Sequence, residues 1–221
     1  MKKFSVVVVL ILLFVLPVLA EDKVQKDEDR LTESAVVLKE ILGMPEGIPK
    51  DLLNKAVCVV VYPSVKKAAF IVGGSYGRGV VTCRKGKEFE GSWSAPAMFA
   101  LEGGSFGLQI GAQATDFVLL IMNDSGASAA AGPVGRNASA ETDVVLKAEI
   151  LSYSRAKGLF AGVSLEGSTL RSDDGGNKAL YGKELSAKEI VREGKAPVPA
   201  AAHRLLTVLT KASPKHVEKQ S

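Results

Sequence analysis

Histidine and cysteine are scarce in this chain, which has only two of each among its 221 residues. Four such residues spread along the chain give no metal-ligand spacing, so we predict no metal site. The sequence also lacks a G-x-x-x-x-G-K-[ST] motif, and neither of its glycine clusters opens a helix as dinucleotide binding requires. These absences predict a protein without a cofactor.

An excess of charge of one sign is missing as well. The chain has 28 basic and 24 acidic side chains, a formal net charge of +4. Removing residues 1–20 takes away Lys2 and Lys3 and no acid, which leaves a net charge of +2. A net charge this small does not indicate binding to nucleic acid, and we predict no nucleic-acid partner.

Two cysteines do not form a disulfide framework. Cys58 and Cys83 both lie in apolar, strand-like runs, where a free cysteine behaves as a small buried hydrophobe. An oxidising compartment would equally permit a bridge between them. The sequence leaves both states open.

The first twenty residues have the pattern of a secretory signal peptide. Lys2 and Lys3 precede an unbroken apolar run over residues 6–16, and a small-residue site ends at Ala20. The run is short for a bilayer span, and charged residues follow from Glu21 onwards. We expect cleavage between Ala20 and Glu21 and export to the periplasm or the medium; an uncleaved membrane anchor is the alternative.

The remaining 201 residues are enough for one domain with a sizeable core. Residues 21–30 are mostly charged and are interpreted as a solvated linker, residues 31–212 as the domain, and residues 213–221 as a charged tail. Apolar spacing predicts a helix that starts near Leu31 and ends at Gly43, and Pro49 predicts a short helix over Lys50–Lys55. A capping box at Ser186 and a helix after Pro199 place helices at the C-terminal end as well.

Short β-branched runs between these helices predict strands. The runs VCVVVY, AAFIV and RGVVTC, separated by Pro63-Ser64 and by a glycine cluster, predict an antiparallel meander over Val57–Cys83. Trp93–Ala100 is predicted as a helical turn and Asp173–Gly176 as a loop. The predicted fold class is α+β, with a curled, barrel-like antiparallel sheet of about eight strands and helices at the N- and C-terminal ends.

Two glycine clusters repeat thirty residues apart, GGSYG at 73–77 and GGSFG at 103–107. Glycines this dense mark sharp bends, positive φ or close approach of another group, so we predict two similar corners of one sheet. Substituting Gly74 or Gly104 by valine is therefore expected to harm folding. The predicted structural glycines are Gly73, Gly74, Gly77, Gly79, Gly103, Gly104 and Gly107.

Both clusters also match the G-x-S-x-G nucleophile elbow, at Ser75 and Ser105. An elbow needs a strand that turns into a helix, whereas each serine here is followed by more strand-like sequence. Only His203 and His216 are available as bases. The sequence predicts a protein that is not an enzyme, and a secreted serine esterase remains the least supported alternative.

The distribution of basic residues is more informative. Seven basic residues and no acid occur from Lys55 to Lys87. A meander carries alternate hairpin ends on the same rim, so these cations are predicted to form a basic rim that attracts anionic head groups. A merely solvated face is the alternative. The candidate lipid-binding residues are Lys66, Lys67, Arg78, Arg84, Lys85, Lys87, Arg136, Arg155 and Lys157.

Four glycine-patterned blocks carry a family resemblance: GGSYGRGV (73–80), GGSFGLQIGAQATD (103–116), AAGPVGR (130–136) and KAEILSYSRAKGLFAGVSLEG (147–167). With these blocks in this order, the chain closely resembles the SYLF domain family. The resemblance implies a lipid-binding module without an established catalytic site. Eukaryotic members bind phosphoinositides through basic surface and an amphipathic helix, and some fungal members also bind and bundle actin.

The chain departs from the family pattern in two respects. Only residues 124–129 join Asn123 to the AAGPVGR block, where the family usually has a longer segment. The leader would also separate the protein from cytosolic actin and phosphoinositides. We therefore expect an exported, non-enzymatic protein that binds anionic phospholipid, with phosphoinositide-like head-group recognition. An envelope protein–protein interaction module is the alternative.

Overall fold

The computed structural model describes residues 2–70, 72–106, 111–124, 127, 149–156, 168–214 and 216. For residues 2–21, 68–70, 72–73, 104–106, 111–113, 156 and 168 it describes the backbone alone.

The described chain forms an antiparallel sheet with helices at both ends. The helices are α1 (Lys2–Leu42), α2 (Lys50–Lys55), α3 (Asp174–Tyr181), α4 (Ala187–Val191) and α5 (His203–Ala212), the last preceded by a 3-10 turn (Ala200–Ala202). The strands are β1 (Cys58–Phe70), β2 (Val72–Cys83), β3 (Ala97–Phe106), β4 (Gly111–Ile121), β5 (Ile150–Ala156) and β6 (Ser168–Ser172). Their order in the sheet is β5-β4-β1-β2-β3-β6.

The α+β class and the terminal helices are confirmed, but eight strands and a barrel-like curl are not. The described residues form six strands in an open sheet. One reason is that the runs on either side of Pro63-Ser64 belong to a single strand, β1, whose register shifts between Tyr62 and Val65. Ser64 takes a positive φ of 58° in this bulge. Because a bulge absorbs an extra residue without ending the strand, Pro63-Ser64 does not separate two strands.

Three local predictions are corrected by the structure. Residues 97–100 belong to β3 rather than to a helical turn. Asp173 caps α3 by accepting a hydrogen bond from the Gly176 backbone, so the predicted loop is a helix start. Residues 21–30, predicted as a solvated linker, lie within α1, where Asp27 is fully buried.

The sheet is covered on both faces. Helices α1, α2 and α5 cover one side, called here the α1 face, and α4 packs against the other. The core on the α1 face includes Leu31, Leu38, Leu53, Val59, Val61, Val80, Val118, Leu205 and Leu209. The opposite core includes Val60, Tyr62, Phe99, Phe117, Leu119, Ile190 and Val191. Val59 and Val60 alternate between the cores, as successive strand residues must.

Several helix boundaries agree with the sequence analysis. Helix α1 ends at Leu42, directly before Gly43, and Pro49 is the N-cap of α2. Ser186 and Glu189 form the predicted capping box at α4. Within the described residues, none of the helices combines the length and apolar character needed to cross a membrane.

Cys58 and Cys83 form a disulfide bond. They are direct partners at the base of the β1–β2 hairpin and are both buried. The sequence left this bond open because it does not show which residues face each other across two strands.

Candidate binding surface

The two glycine clusters lie side by side within the sheet rather than at two corners. Gly74 on β2 is opposite Gly104 on β3, and Ser75 is opposite Gly103. None of these residues takes a positive φ. Residues 73–77 and 103–106 therefore lie within two paired strands, and the prediction of a corner is wrong for them.

Two other glycines are explained by atoms of β1 that approach their Cα atoms closely. A Cβ atom on Gly77 would lie 2.6 Å from Cγ2 of Val65, and one on Gly79 would lie 2.2 Å from the Val61 carbonyl oxygen. A Cβ atom on Gly74 would meet only the Gly103 oxygen, at 3.8 Å. Gly77 and Gly79 are thus required where β2 passes the β1 bulge, whereas Gly74 has room for a side chain. Gly107 lies outside the described residues.

Ser75 and Ser105 lie within β2 and β3. Neither serine follows a strand that turns into a helix, so neither G-x-S-x-G segment has the geometry of a nucleophile elbow. His203 is exposed at the start of α5. The arrangement gives no support to the esterase alternative.

Arg78 connects three elements of the fold. Its Nη1 atom lies 2.8 Å from Oδ1 of Asp27 on α1, and its Nε donates to Asp173 at the start of α3 (2.5 Å). Asp27 is fully buried, and neither of its oxygens accepts a hydrogen bond from any other described residue. Two carboxylates thus occupy Arg78, which is a structural ion-pair centre and not a free cation on a rim.

Arg84 is buried, with 1% of its surface exposed. It donates to the carbonyl (2.8 Å) and the hydroxyl (2.6 Å) of Ser213, and its guanidinium lies 4.1 Å from the centre of the Trp93 ring. Burial lowers the pKa of this guanidinium. Arg84 therefore anchors the end of α5 and does not reach a ligand.

Arg155 on β5 is also engaged by carboxylates. Its Nη2 lies 2.6 Å from Oδ2 of buried Asp116, and its Nη1 pairs with Glu40 of α1. These hydrogen bonds, that to Asp116 first, raise the pKa of the Arg155 guanidinium. Arg155 joins α1 to the sheet in the same way that Arg78 does nearer the start of the helix.

The four predicted lysines in the described chain lie at opposite ends of the sheet. Lys66 and Lys67 pair with Tyr76 and Ser75, while Lys85 and Lys87 follow Cys83 at the base of the same hairpin. On β2 the corresponding positions, Tyr76 and Cys83, are seven residues apart, a distance of about 23 Å. The structure therefore does not bring these lysines together on one rim. Arg136 and Lys157 lie outside the described residues.

One end of the sheet carries apolar residues in its last row of paired positions. We call it the hairpin end and define it as residues 66–70 of β1, 72–76 of β2 and 102–106 of β3. Its last row of paired residues is Phe70, Val72 and Phe106. Nearer the centre of the sheet, Lys66 is exposed opposite Tyr76, which exposes 50% of its surface.

The sequence analysis missed Tyr76 and Arg30, which lies near it on α1. Tyr76 was treated only as part of the glycine cluster, although strand alternation from Val80 through Arg78 would have placed it on the α1 face. Arg30 was assigned to the predicted linker. Its Nη1 donates to the Arg78 carbonyl at 3.2 Å, which places it beside β2.

The described residues form an open antiparallel sheet, and neither Ser75 nor Ser105 lies at a strand-to-helix elbow. The family model described as "Ysc84: Las17-binding protein actin regulator" matches residues 124–212. SH3 domain-containing protein PJ696.02 of Schizosaccharomyces pombe is 37% identical over 201 residues, covering 83% of this chain and 46% of its own length. Protein YSC84 of Saccharomyces cerevisiae is 33% identical over 203 residues, which are 83% of this chain and 42% of the relative.

SH3 domain-containing YSC84-like protein 1 of Homo sapiens is 32% identical over 189 residues, 79% of this chain and 54% of its own length. This chain therefore belongs to the Ysc84 family, and the SYLF resemblance is confirmed. It spans a little under half of the two fungal relatives and about half of the human one. No solved structure matches it.

Proposed function

We propose that this chain is a non-enzymatic module that binds anionic phospholipid surfaces through the hairpin end. The observation that carries the proposal is the row Phe70, Val72 and Phe106 at the end of the sheet, with Lys66 and Tyr76 paired a few residues behind it. Apolar residues at a tip, with cations and a tyrosine behind them, suit the layers of a membrane interface.

The hairpin end replaces the basic rim in this proposal because the three described arginines of the rim, Arg78, Arg84 and Arg155, are occupied. Two lysines near an anionic surface contribute about 2 kcal/mol together. Stable anchoring to a membrane requires a second favourable interaction beside the charges. Burying even one phenylalanine side chain in the bilayer contributes about 1.5–3 kcal/mol. The apolar row supplies that second signal, and Lys66 and Lys67 supply the first.

A vesicle-binding comparison tests the surface. Replacing Phe70 and Phe106 by serine, together with Lys66 and Lys67 by glutamine, is expected to reduce sedimentation with anionic vesicles at least tenfold, because both signals are lost. The matched control replaces Lys85 and Lys87 by glutamine at the opposite end of the sheet and should bind as the parent does. Equal loss in both variants would contradict a site at the hairpin end.

We also propose export, on the basis of the leader pattern in residues 1–20. Two features support it: an oxidising compartment favours the Cys58–Cys83 bond, and Glu21 and Asp22 would begin α1 with the acidic residues that a helix N-terminus prefers. Intact-mass measurement of the protein from its native cell fraction should show a chain that begins at Glu21. Retention of residues 1–20 would argue for an anchor instead.

A protein partner is the second candidate function. It is supported by the family's description as an actin regulator and by the name of a yeast relative, LAS seventeen-binding protein 3, which is 32% identical over 201 residues. This candidate is favoured if the parent protein binds no vesicles of any composition but co-sediments with a protein filament or partner. The hairpin-end variant should then lose that co-sedimentation.

A further inference from the structure

We propose that a cleft between helix α1 and the bulge of β1 binds a soluble α,ω-diamine, a short apolar chain with an ammonium group at each end. The cleft has a volume of about 640 Å³, and none of the apolar row at the hairpin end lines it. The proposal goes beyond membrane binding and does not rest on it, so either function can fail without the other.

One wall of the cleft is a single face of α1. Residues 33, 36, 37 and 40 have the spacing i, i+3, i+4 and i+7, so Glu33 and Glu40 share a face with Val36 and Val37 between them. Val37 is buried and Val36 is partly buried. Seven residues of helix place the two glutamates about 10 Å apart along the axis. This wall therefore has acidic ends and an apolar centre.

The other wall is formed by the sheet where β1 bulges. Pro63 and Ser64 of β1 line the cleft together with Asp116 of β4 and Arg155 of β5. The Ser64 backbone N–H donates to Oδ1 of Asp116 at 2.9 Å, and Nη2 of Arg155 donates to Oδ2 at 2.6 Å. Because both oxygens of the buried Asp116 are engaged, this wall has a fixed geometry.

The charges of the cleft match a dication. Its lining includes three acidic side chains and one basic side chain, which gives a formal charge of −2. Asp116 and Glu40 share Arg155, so one net negative charge remains at that end. Glu33 supplies the second as an exposed carboxylate that forms no salt bridge within the described residues.

Two cations lie outside the cleft and do not line it. Arg30, one turn earlier on α1, interacts electrostatically with Glu33, but its Nη1 donates to the Arg78 carbonyl. Lys66 is two residues beyond Ser64 on β1. These cations weaken the negative potential without forming a salt bridge to Glu33. A single ammonium group should therefore bind weakly, and a ligand needs a second one at the other end.

The apolar centre of the cleft selects a diamine among cations. An ammonium group donates charge-assisted hydrogen bonds of about 2.8 Å to a carboxylate. One such bond at each end leaves about 5 Å between the two nitrogens, which suits a spacer of about three to four methylene groups. Val36, Val37 and Pro63 line the cleft where these methylene groups would lie. An inorganic cation would gain nothing from these apolar contacts.

Isothermal titration calorimetry of the purified protein compares 1,4-diaminobutane with butylamine, which has the same carbon chain and one ammonium group. The parent is expected to bind the diamine about tenfold more tightly, because the monoamine lacks the second charge-assisted bond. Glu33→Gln should abolish this difference, and Glu33→Asp should retain part of it. Since Glu33 is exposed, neither change should affect folding.

The matched control is Glu90→Gln, which removes an exposed acid from the connection between β2 and β3. It should keep the parent's preference for the diamine. Equal affinity of the parent for both amines, or a preference that survives Glu33→Gln, would overturn the site. An equal loss in Glu90→Gln would show only general attraction to acidic surface and would overturn it as well.

A second measurement locates the ligand. Addition of 1,4-diaminobutane should shift the methyl NMR signals of Val36 and Val37 in the parent, and should leave them unchanged in Glu33→Gln at the same concentration. Shifts confined to other residues would contradict binding in the cleft. Neither measurement contains vesicles, so its result is independent of the proposed membrane function.

Discussion

Replacing Arg78 by methionine is expected to lower the free energy of unfolding by about 3–5 kcal/mol, because the change leaves a buried carboxylate without its cation. Asp27 is fully buried and Arg78 is its salt-bridge partner, while the arginine itself exposes only 18% of its side chain. The same change frees Asp173, which caps α3. Urea unfolding followed by circular dichroism measures the loss.

The double variant Arg78→Met/Asp27→Leu is the control for this prediction. Removing both charges should recover part of the stability, since no buried charge remains. A single variant that loses less than about 0.5 kcal/mol, the usual range for a surface substitution, would show that Arg78 is solvated after all. Arg78 would then again be a candidate lipid ligand.

Replacing Gly79 by alanine is expected to lower the free energy of unfolding by about 3 kcal/mol. The new Cβ would lie 2.2 Å from the Val61 carbonyl oxygen and 2.5 Å from Cδ1 of Tyr62. One of these neighbours is backbone in the centre of the sheet, and the other is a buried ring, so neither can move at small cost. Denaturant unfolding of the purified protein tests the change.

Gly74→Ala is the matched control, because its Cβ would lie in ordinary contact with a single atom. It should leave stability within about 0.5 kcal/mol of the parent. This reverses the expectation that a side chain at Gly74 harms folding. Similar losses at Gly74 and Gly79 would contradict the assignment of close approach to the β1 bulge alone.

Local patterns predicted α2, α4, α5 and the end of α1, but not α3 or the earlier part of α1. Residues at helical spacing from Leu31, the capping box at Ser186 and the prolines at 49 and 199 indicate structure through contacts within one or two turns. Such contacts are visible in the sequence because the interacting residues are three or four positions apart. The strand count was wrong because Pro63-Ser64 and the glycines, which usually end strands, here lie inside β1 and β2.

The candidate surface could not be found from local sequence patterns, and the basic residues show why. Lys66 and Arg78 look alike in a charged run, but only the structure shows that two carboxylates from distant segments occupy Arg78. Asp173 is 95 residues away from it. A charge count along the chain therefore overestimated the available cations, and it omitted Arg30 because that residue lay in an assumed linker.

The sequence by itself determined the family, the α+β class and the helices at both ends, since these depend on local spacing and on motifs read in order. Tertiary structure alone decided the strand register, the disulfide between Cys58 and Cys83, and which arginines are paired. It also placed Lys66 beside Tyr76 and about 23 Å from the base of the hairpin. The physical reason is that pairing across a sheet and burial of charge join residues that are far apart in the chain, where no local pattern records them.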